Sequence, residues 1–337
     1  MKVYQKSGIN STPIKERVLK KLVLFTMVLF VFSKLIIPKA QAESLSDLFT
    51  YSASARDFAL GNIGETLPYN PTGLFGNPAS ISGISGIEYS EMYLPLCDKD
   101  IYIHSAALIY SHGKLTEFIG AKIGFSAPAQ ENRYFNFNFP GNNLRMGIFG
   151  LAYAVTPQLI AGFSGNICQN RLQSHKEVML RANIGAQFRL GLLTLSTSVK
   201  NLGARKDGNT GSDMIGLSQC FSSGAHLSLF NGVIGIGGDI ELSEMGEISN
   251  YSIGSEFTFG NFLSLRGSCE NPGQKLAFNG DDIESELFAV GCGIRLGEVA
   301  IDYAIKEHPQ AQDDYMHLVT FGLNGKYFGR NKVKDSR

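Results

Sequence analysis

The chain has no tryptophan and no CxxC pair, and it has a single long apolar run, near its N-terminus. Each absence removes a class of protein. A helical membrane protein needs several apolar stretches of about 20 residues, and here only residues 22–37 come close. The five cysteines (Cys97, Cys168, Cys220, Cys269 and Cys292) are scattered and odd in number, which indicates neither a zinc site nor a disulfide framework. They read as small apolar residues within strands. His104, His112, His175, His226, His308 and His317 lack metal-ligand spacing, so no metal is expected. Catalytic signatures are missing too. Gly162-Phe163-Ser164-Gly165 is not a nucleophile elbow and no helix follows it. Gly291-Cys292-Gly293 lacks the spacing of a dinucleotide loop. The sequence therefore predicts neither an enzyme nor a cofactor.

The N-terminal run has the three parts of an export signal. Lys15, Arg17, Lys20 and Lys21 are basic, Leu22–Phe32 forms an apolar core of 11 residues, and Ala40-Gln41-Ala42 is a small-x-small cleavage site. Residues 1–42 read as a signal peptide with Ala40 and Ala42 at the cleavage positions. The competing reading is an uncleaved anchor helix, but the run is short for a span of about 20 residues. No cysteine follows the cleavage site, which argues against a lipid anchor there. Residues 1–42 hold eight of the 30 basic and one of the 30 acidic residues, leaving 22 against 29 and a net charge of −7. A negative exported chain without a basic cluster is a poor nucleic-acid binder.

What the chain has in quantity is glycine, 38 residues, and alternation of apolar with polar side chains from Gly86 onward. Between Val178 and Leu190 one face reads Val178, Leu180, Ala182, Ile184, Ala186, Phe188 and Leu190. The other reads Met179, Arg181, Asn183, Gly185, Gln187 and Arg189. That period of two is the strand signal, and such segments are long enough for a tilted membrane strand. They fall at 86–94, 101–111, 114–127, 145–155, 159–169, 177–190, 192–202, 216–229, 233–242, 248–259, 262–269, 286–296, 299–306 and 315–327, an even count of about 14.

The connections point to an architecture. After even-numbered strands they are tight: Gly113, Thr156-Pro157-Gln158, Gly191, Asn231-Gly232, Gly260-Asn261 and Gly297-Glu298. Asn-Gly is a type I′ hairpin signal. After odd-numbered strands the connections are longer: 95–100, 128–144, 170–176, 203–215, 243–247, 270–285 and 307–314. Tight turns at one end and long loops at the other suit an all-β, transmembrane up-and-down antiparallel barrel with both termini periplasmic. A soluble β-sandwich would also alternate, but it has no reason for strict long/short alternation. In the barrel, Arg181, Arg189, Asp239, Glu256, Arg266 and Asp302 point into the lumen and the apolar face meets the lipid bilayer.

Residues 43–85 do not read as strands. Leu45, Leu48 and Phe49 could form one helical turn, and a Gly/Pro/Asn-rich stretch follows. Ser54-Ala55-Arg56, Ala59-Leu60-Gly61 with Gly64, and Asn77-Pro78-Ala79 resemble the opening of the PorV/PorQ-type outer-membrane proteins. These are a branch of the FadL-like long-chain fatty-acid transporter superfamily, with "ARALGMGG…NPAGL" at the mature N-terminus. Ile301-Asp302-Tyr303-Ala304 and the ending Tyr327-Phe328 are similar to that family's C-terminal pattern. The layout matches over nearly the whole mature chain, the motifs over about 25 residues. The resemblance implies a barrel of about 14 strands (86–328) whose N-terminal segment (43–85) plugs the lumen, with Gly61, Gly64, Asn77, Pro78 and Ala79 as the plug motif. Two features depart from the family: Glu65-Thr66-Leu67-Pro68-Tyr69-Asn70-Pro71 replaces the usual "ADDAS" run, and a basic tail (329–337) follows the final aromatic.

Two further expectations concern sites. The loop aromatics Tyr134, Phe135, Phe137 and Phe139 would capture a hydrophobic ligand or partner, or belong to the interfacial girdle. Asn77-Pro78-Ala79 would gate the lumen or make a rigid turn into the first strand. In the bacterial outer membrane, three functions remain open. They are passage of fatty-acid-like hydrophobic molecules, PorV/PorQ-like binding or presentation of secreted proteins, and a structural surface antigen.

Overall fold

The computed structural model describes residues 52–96, 99–128, 143–172, 175–207, 215–216, 219–243, 246, 248–260, 262–271, 286–307 and 315–323. The sequence expectations at Ala40, Ala42, Leu45, Leu48, Phe49, Tyr134, Phe135, Phe137, Phe139 and the basic tail lie outside these residues.

The strands are β1 (Gly86–Leu96), β2 (Lys99–His112), β3 (Leu115–Pro128), β4 (Asn143–Ala154), β5 (Leu159–Leu172), β6 (His175–Leu190) and β7 (Leu193–Asp207). After the two-residue β8 (Ile215–Gly216) come β9 (Cys220–Leu229), β10 (Ile234–Leu242), β11 (Ile248–Phe259) and β12 (Leu263–Asn271). The last three are β13 (Leu287–Leu296), β14 (Val299–Glu307) and β15 (Tyr315–Leu323). Each long strand pairs antiparallel with its neighbours in sequence, and β15 returns to β1 with Ile87 opposite Leu323 and Tyr93 opposite His317. The result is a closed ring of 14 long strands, which rules out the sandwich. The strands run further than expected at the end away from the tight turns. Leu96 pairs with Lys99 and Leu172 with His175, so the connections expected to be long at 95–100 and 170–176 shorten to two residues each, because ladder pairing continues up to the reversal. A further boundary also differs. The segment expected at 216–229 divides, because β7 pairs with β9 through Leu193–Leu227 to Lys200–Cys220, while β8 pairs only with Ala204 and Arg205.

The tight turns share a mechanism. Gly113-Lys114, Gly191-Leu192 and Gly297-Glu298 each separate a strand pair (His112–Leu115, Leu190–Leu193, Leu296–Val299). The glycine φ values are 60°, 61° and 64°, and no second residue has positive φ. That is the Gly-X pattern of a type II′ turn, whose twist matches the strands. Asn231-Gly232 departs from the expected two-residue type I′ turn. Leu229 pairs with Ile234, so four residues intervene, and Phe230, Asn231 and Gly232 all have positive φ. Val233 N–H donates to Phe230 O at 3.3 Å, so these residues close a backbone turn where strand pairing would otherwise continue.

The faces are inverted relative to a water-soluble protein. Ile253, Ile119, Leu180 and Phe149 are exposed on the outside, while Ser164, Asn183, Gln187, Ser198 and Ser252 are buried on the inside. Of the charged residues expected to face the lumen, Arg181, Asp239, Arg266 and Asp302 are buried and Arg189 and Glu256 half-buried. Without tryptophan, Tyr110, Tyr153, Phe259 and Phe262 mark the tight-turn end of the outer surface, and Tyr102, Tyr251 and Tyr315 the other, as interfacial belts do.

Ile253 lies mid-strand with its side chain 63% exposed. Ile253→Arg is expected to destabilise the folded barrel in bilayers by about 2–4 kcal/mol if this position sits near the midplane. Urea-dependent folding into vesicles, followed by heat-modifiable gel mobility, measures the change.

Candidate functional site: the barrel lumen

Residues 52–85 run inside the ring of strands before Gly86 starts β1. They form a short helix, α1 (Ala55–Ala59), and three 3-10 turns at Ile63–Glu65, Pro71–Phe75 and Pro78–Ile81. The sequence breaks regular structure here by design of its backbone. Gly61 (φ 74°) and Asn62 (φ 61°) are successive left-handed residues that stop α1, and Pro71 and Pro78 each start a 3-10 turn.

The segment meets successive strands around the wall. Ala55 N–H donates to Thr320 Oγ1 on β15 at 2.8 Å, and Gln187 on β6 donates to the carbonyls of Thr66 and Leu67. Gly83 N–H donates to Thr116 Oγ1 on β3 at 3.1 Å. Glycines in the wall let the backbone come close. A Cβ at Gly254 would lie 2.5 Å from Leu60 O, and one at Gly162 would lie 2.4 Å from Ala79 N.

Two chemically different sides hold it. On the β7–β14 side the contacts are ionic. Arg56 pairs with Glu256 (2.8 Å), Glu256 with Arg266 (2.7 Å), and Arg266 with Asp302 (2.5 Å). Lys200 pairs with both Glu65 and Glu241 at 2.5 Å, and Ser198 Oγ donates to Glu65 at 2.6 Å. Lys306 pairs with Glu270, which also accepts from Asn62. On the β1–β5 side the packing is apolar: Leu74, Ala79, Ile81 and Ile84 bury against Ile109, Phe118, Ile148 and Ile160.

Further from the tight turns a belt of sulfur side chains lines the wall. Met146, Cys168 and Met179 are direct cross-strand neighbours on β4, β5 and β6, and Met92 and Met316 join the same buried cluster with Phe58 and Phe75. Lys122, opposite Met146, lies 5.3 Å from the Phe75 ring centroid; Lys306 lies 5.2 Å from that of Phe58. Arg181 stands two residues from Met179 on the same face. It is 8% exposed, yet its contacts are Asn201 Oδ1 and Met179 Sδ, both at 3.5 Å, and its Nε has no hydrogen-bond partner. Among the described residues no carboxylate pairs with it. By contrast, the cavity between Arg266, Arg295 and Asp302 has room for about one water, at about 10 Å³.

The motif residues converge inside the ring. Asn77 caps the turn at Pro78 by accepting from Ala79 N–H at 3.0 Å, and its amide donates to Glu65 O, Ala186 O and Thr197 O at 3.2–3.5 Å. Gly64 lies against the Asp57 carboxylate, where a Cβ would come within 2.1 Å. Sequence reasoning did not single out Asp57, Glu65, Lys122 or the methionine belt. Met92, Met146, Met179 and Met316 do fall on the inward register of their strands, and that was the available signal.

Asp57 accepts from Ser52 Oγ (3.0 Å) and Thr72 Oγ1 (3.4 Å). Burial, reinforced by the nearby Glu65 carboxylate, raises its pKa from 3.8 to about 6. Because the shift is upward, seating of the segment is firmest with Asp57 protonated. It weakens as pH rises from about 4 to 6 and is flat above. Hydrogen exchange of residues 52–85 should show less protection at pH 7.5 than at pH 4.5. Asp57→Asn should flatten that difference.

No protein-family model matches the chain, and no curated protein matches it. Solved structures do. The toluene transporter TodX of Pseudomonas putida superposes with a TM-score of 0.59 at 11% identity, over 81% of this chain and 98% of that one. The CymD monoaromatic hydrocarbon channel gives 0.53 at 10% identity, over 81% and 96%. At these identities the likeness is one of fold: the chain is a transmembrane antiparallel β-barrel with the architecture of those two channel proteins.

Proposed function

We propose that the chain is an outer-membrane barrel for passage of small hydrophobic molecules, and that its cargo is fatty-acid-like, with an apolar body and an anionic head. Arg181 carries this reading. A buried guanidinium without a carboxylate partner is costly, and a ligand anion in the lumen would offset that cost. The methionine belt beside it suits an apolar body of irregular shape, because the flexible, polarizable thioether adapts its packing. The fold shared with a toluene transporter and a hydrocarbon channel supports passage of hydrophobic cargo. No covalent chemistry is involved. Cargo would be taken from the long-loop end, where Tyr134, Phe135, Phe137 and Phe139 lie in sequence, and would pass once residues 52–85 move. Gly61, Gly64 and Asn77-Pro78-Ala79 would set the seat of that plug.

A second reading, a PorV/PorQ-like accessory barrel that binds or presents secreted proteins, is favoured by how closely the segment is seated against Gly162 and Gly254. A barrel that stays closed would serve as a platform. Co-purification of secreted proteins with no bound lipid would favour it.

Two measurements separate these readings. Arg181→Gln should weaken binding of a fluorescent long-chain carboxylate about 10-fold to 100-fold, the loss expected for a charge-assisted hydrogen bond of roughly 1.5–3 kcal/mol, and leave binding of a neutral analogue unchanged. Deleting residues 43–85 should raise single-channel conductance and alter fatty-acid uptake. An unchanged conductance and uptake would reject the passage reading.

A further inference from the structure

Among the described residues, a cluster of ionisable and tyrosine side chains lies on the outer surface where the barrel closes. On β14, β15, β1 and β2, Tyr303, Val319, Glu91 and His104 are successive direct neighbours across the strands, and Ile305, His317, Tyr93 and Tyr102 form the next row. All of these belong to the outward face. Glu91 is about half exposed, with its carboxylate 3.9 Å from His104. Two Tyr–His pairs flank it: Tyr89 Oη meets His104 Nδ1 and Tyr303 Oη meets His317 Nδ1, both at 2.7 Å. Tyr93 stacks on His317 at 6.3 Å and tilts against Tyr102 at 5.3 Å. At comparable mid-strand positions elsewhere the outward residues are apolar, as with Ile167 on β5, Ile236 on β10, Leu265 on β12 and Val290 on β13.

A carboxylate and two imidazoles facing hydrocarbon are costly, and ionisable groups inside a membrane characteristically face another protein surface or each other. The patch has no single sign. It presents an acid, two imidazoles and tyrosine hydroxyls together, so it offers hydrogen-bond donors and acceptors in one face. Such a face is complementary to itself when turned through a half-rotation, which is the property of an isologous twofold interface. A partner of uniform charge would leave half of these groups unmatched. We propose that the β14–β15–β1–β2 seam is the contact between two copies of this chain, side by side in the membrane. Strands β14 and β15 of one copy face β1 and β2 of the other, so that Tyr303 and His317 meet Glu91 and His104 across the contact, and Val319 sits close to the twofold axis.

Light scattering on the full chain in mild detergent should give the mass of a dimer. Glu91→Leu combined with His317→Leu should give a monomer that keeps its heat-modifiable mobility. In native membranes, Val319→Cys in a Cys292→Ser background should form a disulfide-linked dimer on mild oxidation, while the Cys292→Ser protein alone should not. If the double variant fails to fold, the crosslink decides alone. A wild-type monomer at every protein-to-detergent ratio, a dimer unaffected by the double variant, or no crosslink through Val319→Cys would each overturn the proposal.

Discussion

Backbone hydrogen bonding without water is the constraint on which this structure depends. In hydrocarbon an unpaired N–H or C=O costs several kcal/mol, so a sheet can cross a bilayer only when it has no edge. Here the last edge is removed by β15 pairing with β1, through seven residue pairs from Ile87–Leu323 to Tyr93–His317. Closure of an up-and-down sheet by antiparallel pairing requires an even number of strands. It also brings both ends of the strand array, Gly86 and Leu323, to the tight-turn end.

Closure also creates an interior, and the interior must be filled or wetted. Residues 52–85 run within it, and the two sides of the wall hold them by different physics. Apolar packing against Ile109, Phe118 and Ile160 is short-ranged and indifferent to pH. The ion pairs through Arg56, Glu65 and Lys200 are directional and respond to the charge state of their surroundings. A segment held in this way has an adhesive side and a latched side. Arg181 falls outside both, beside the methionine belt, where among the described residues no carboxylate pairs with it and its Nε has no hydrogen-bond partner.

The strands were legible because alternation along a strand depends only on which side of the sheet each residue faces. Even β1 formed where expected, although Glu91 interrupts its outer face. The seam explains why: Glu91 has His104 opposite it and the tyrosine hydroxyls nearby. Turn geometry was legible where one glycine sufficed, as at Gly113, Gly191 and Gly297. At Asn231-Gly232 the dipeptide marked the turn but not its length, because pairing beyond Leu229 competes with a backbone hydrogen bond between Phe230 and Val233. Similarly, β8 and β9 divide one apolar stretch because β7 pairs with each at a different place, which no local pattern encodes.

Taken alone, the sequence determined which residues face outward, where the chain turns, and that an irregular N-terminal stretch precedes the strands, since each of these is a local preference of backbone and side chain. Only the tertiary structure decided that Arg56 meets Glu256, that Glu65 meets Lys200, that three sulfur side chains on β4, β5 and β6 lie in a row, and that no carboxylate among the described residues pairs with Arg181. Those relations join residues from 11 to 200 positions apart. They are set by the register of the closed ring and by the path of the segment within it, and alternation carries no information about either.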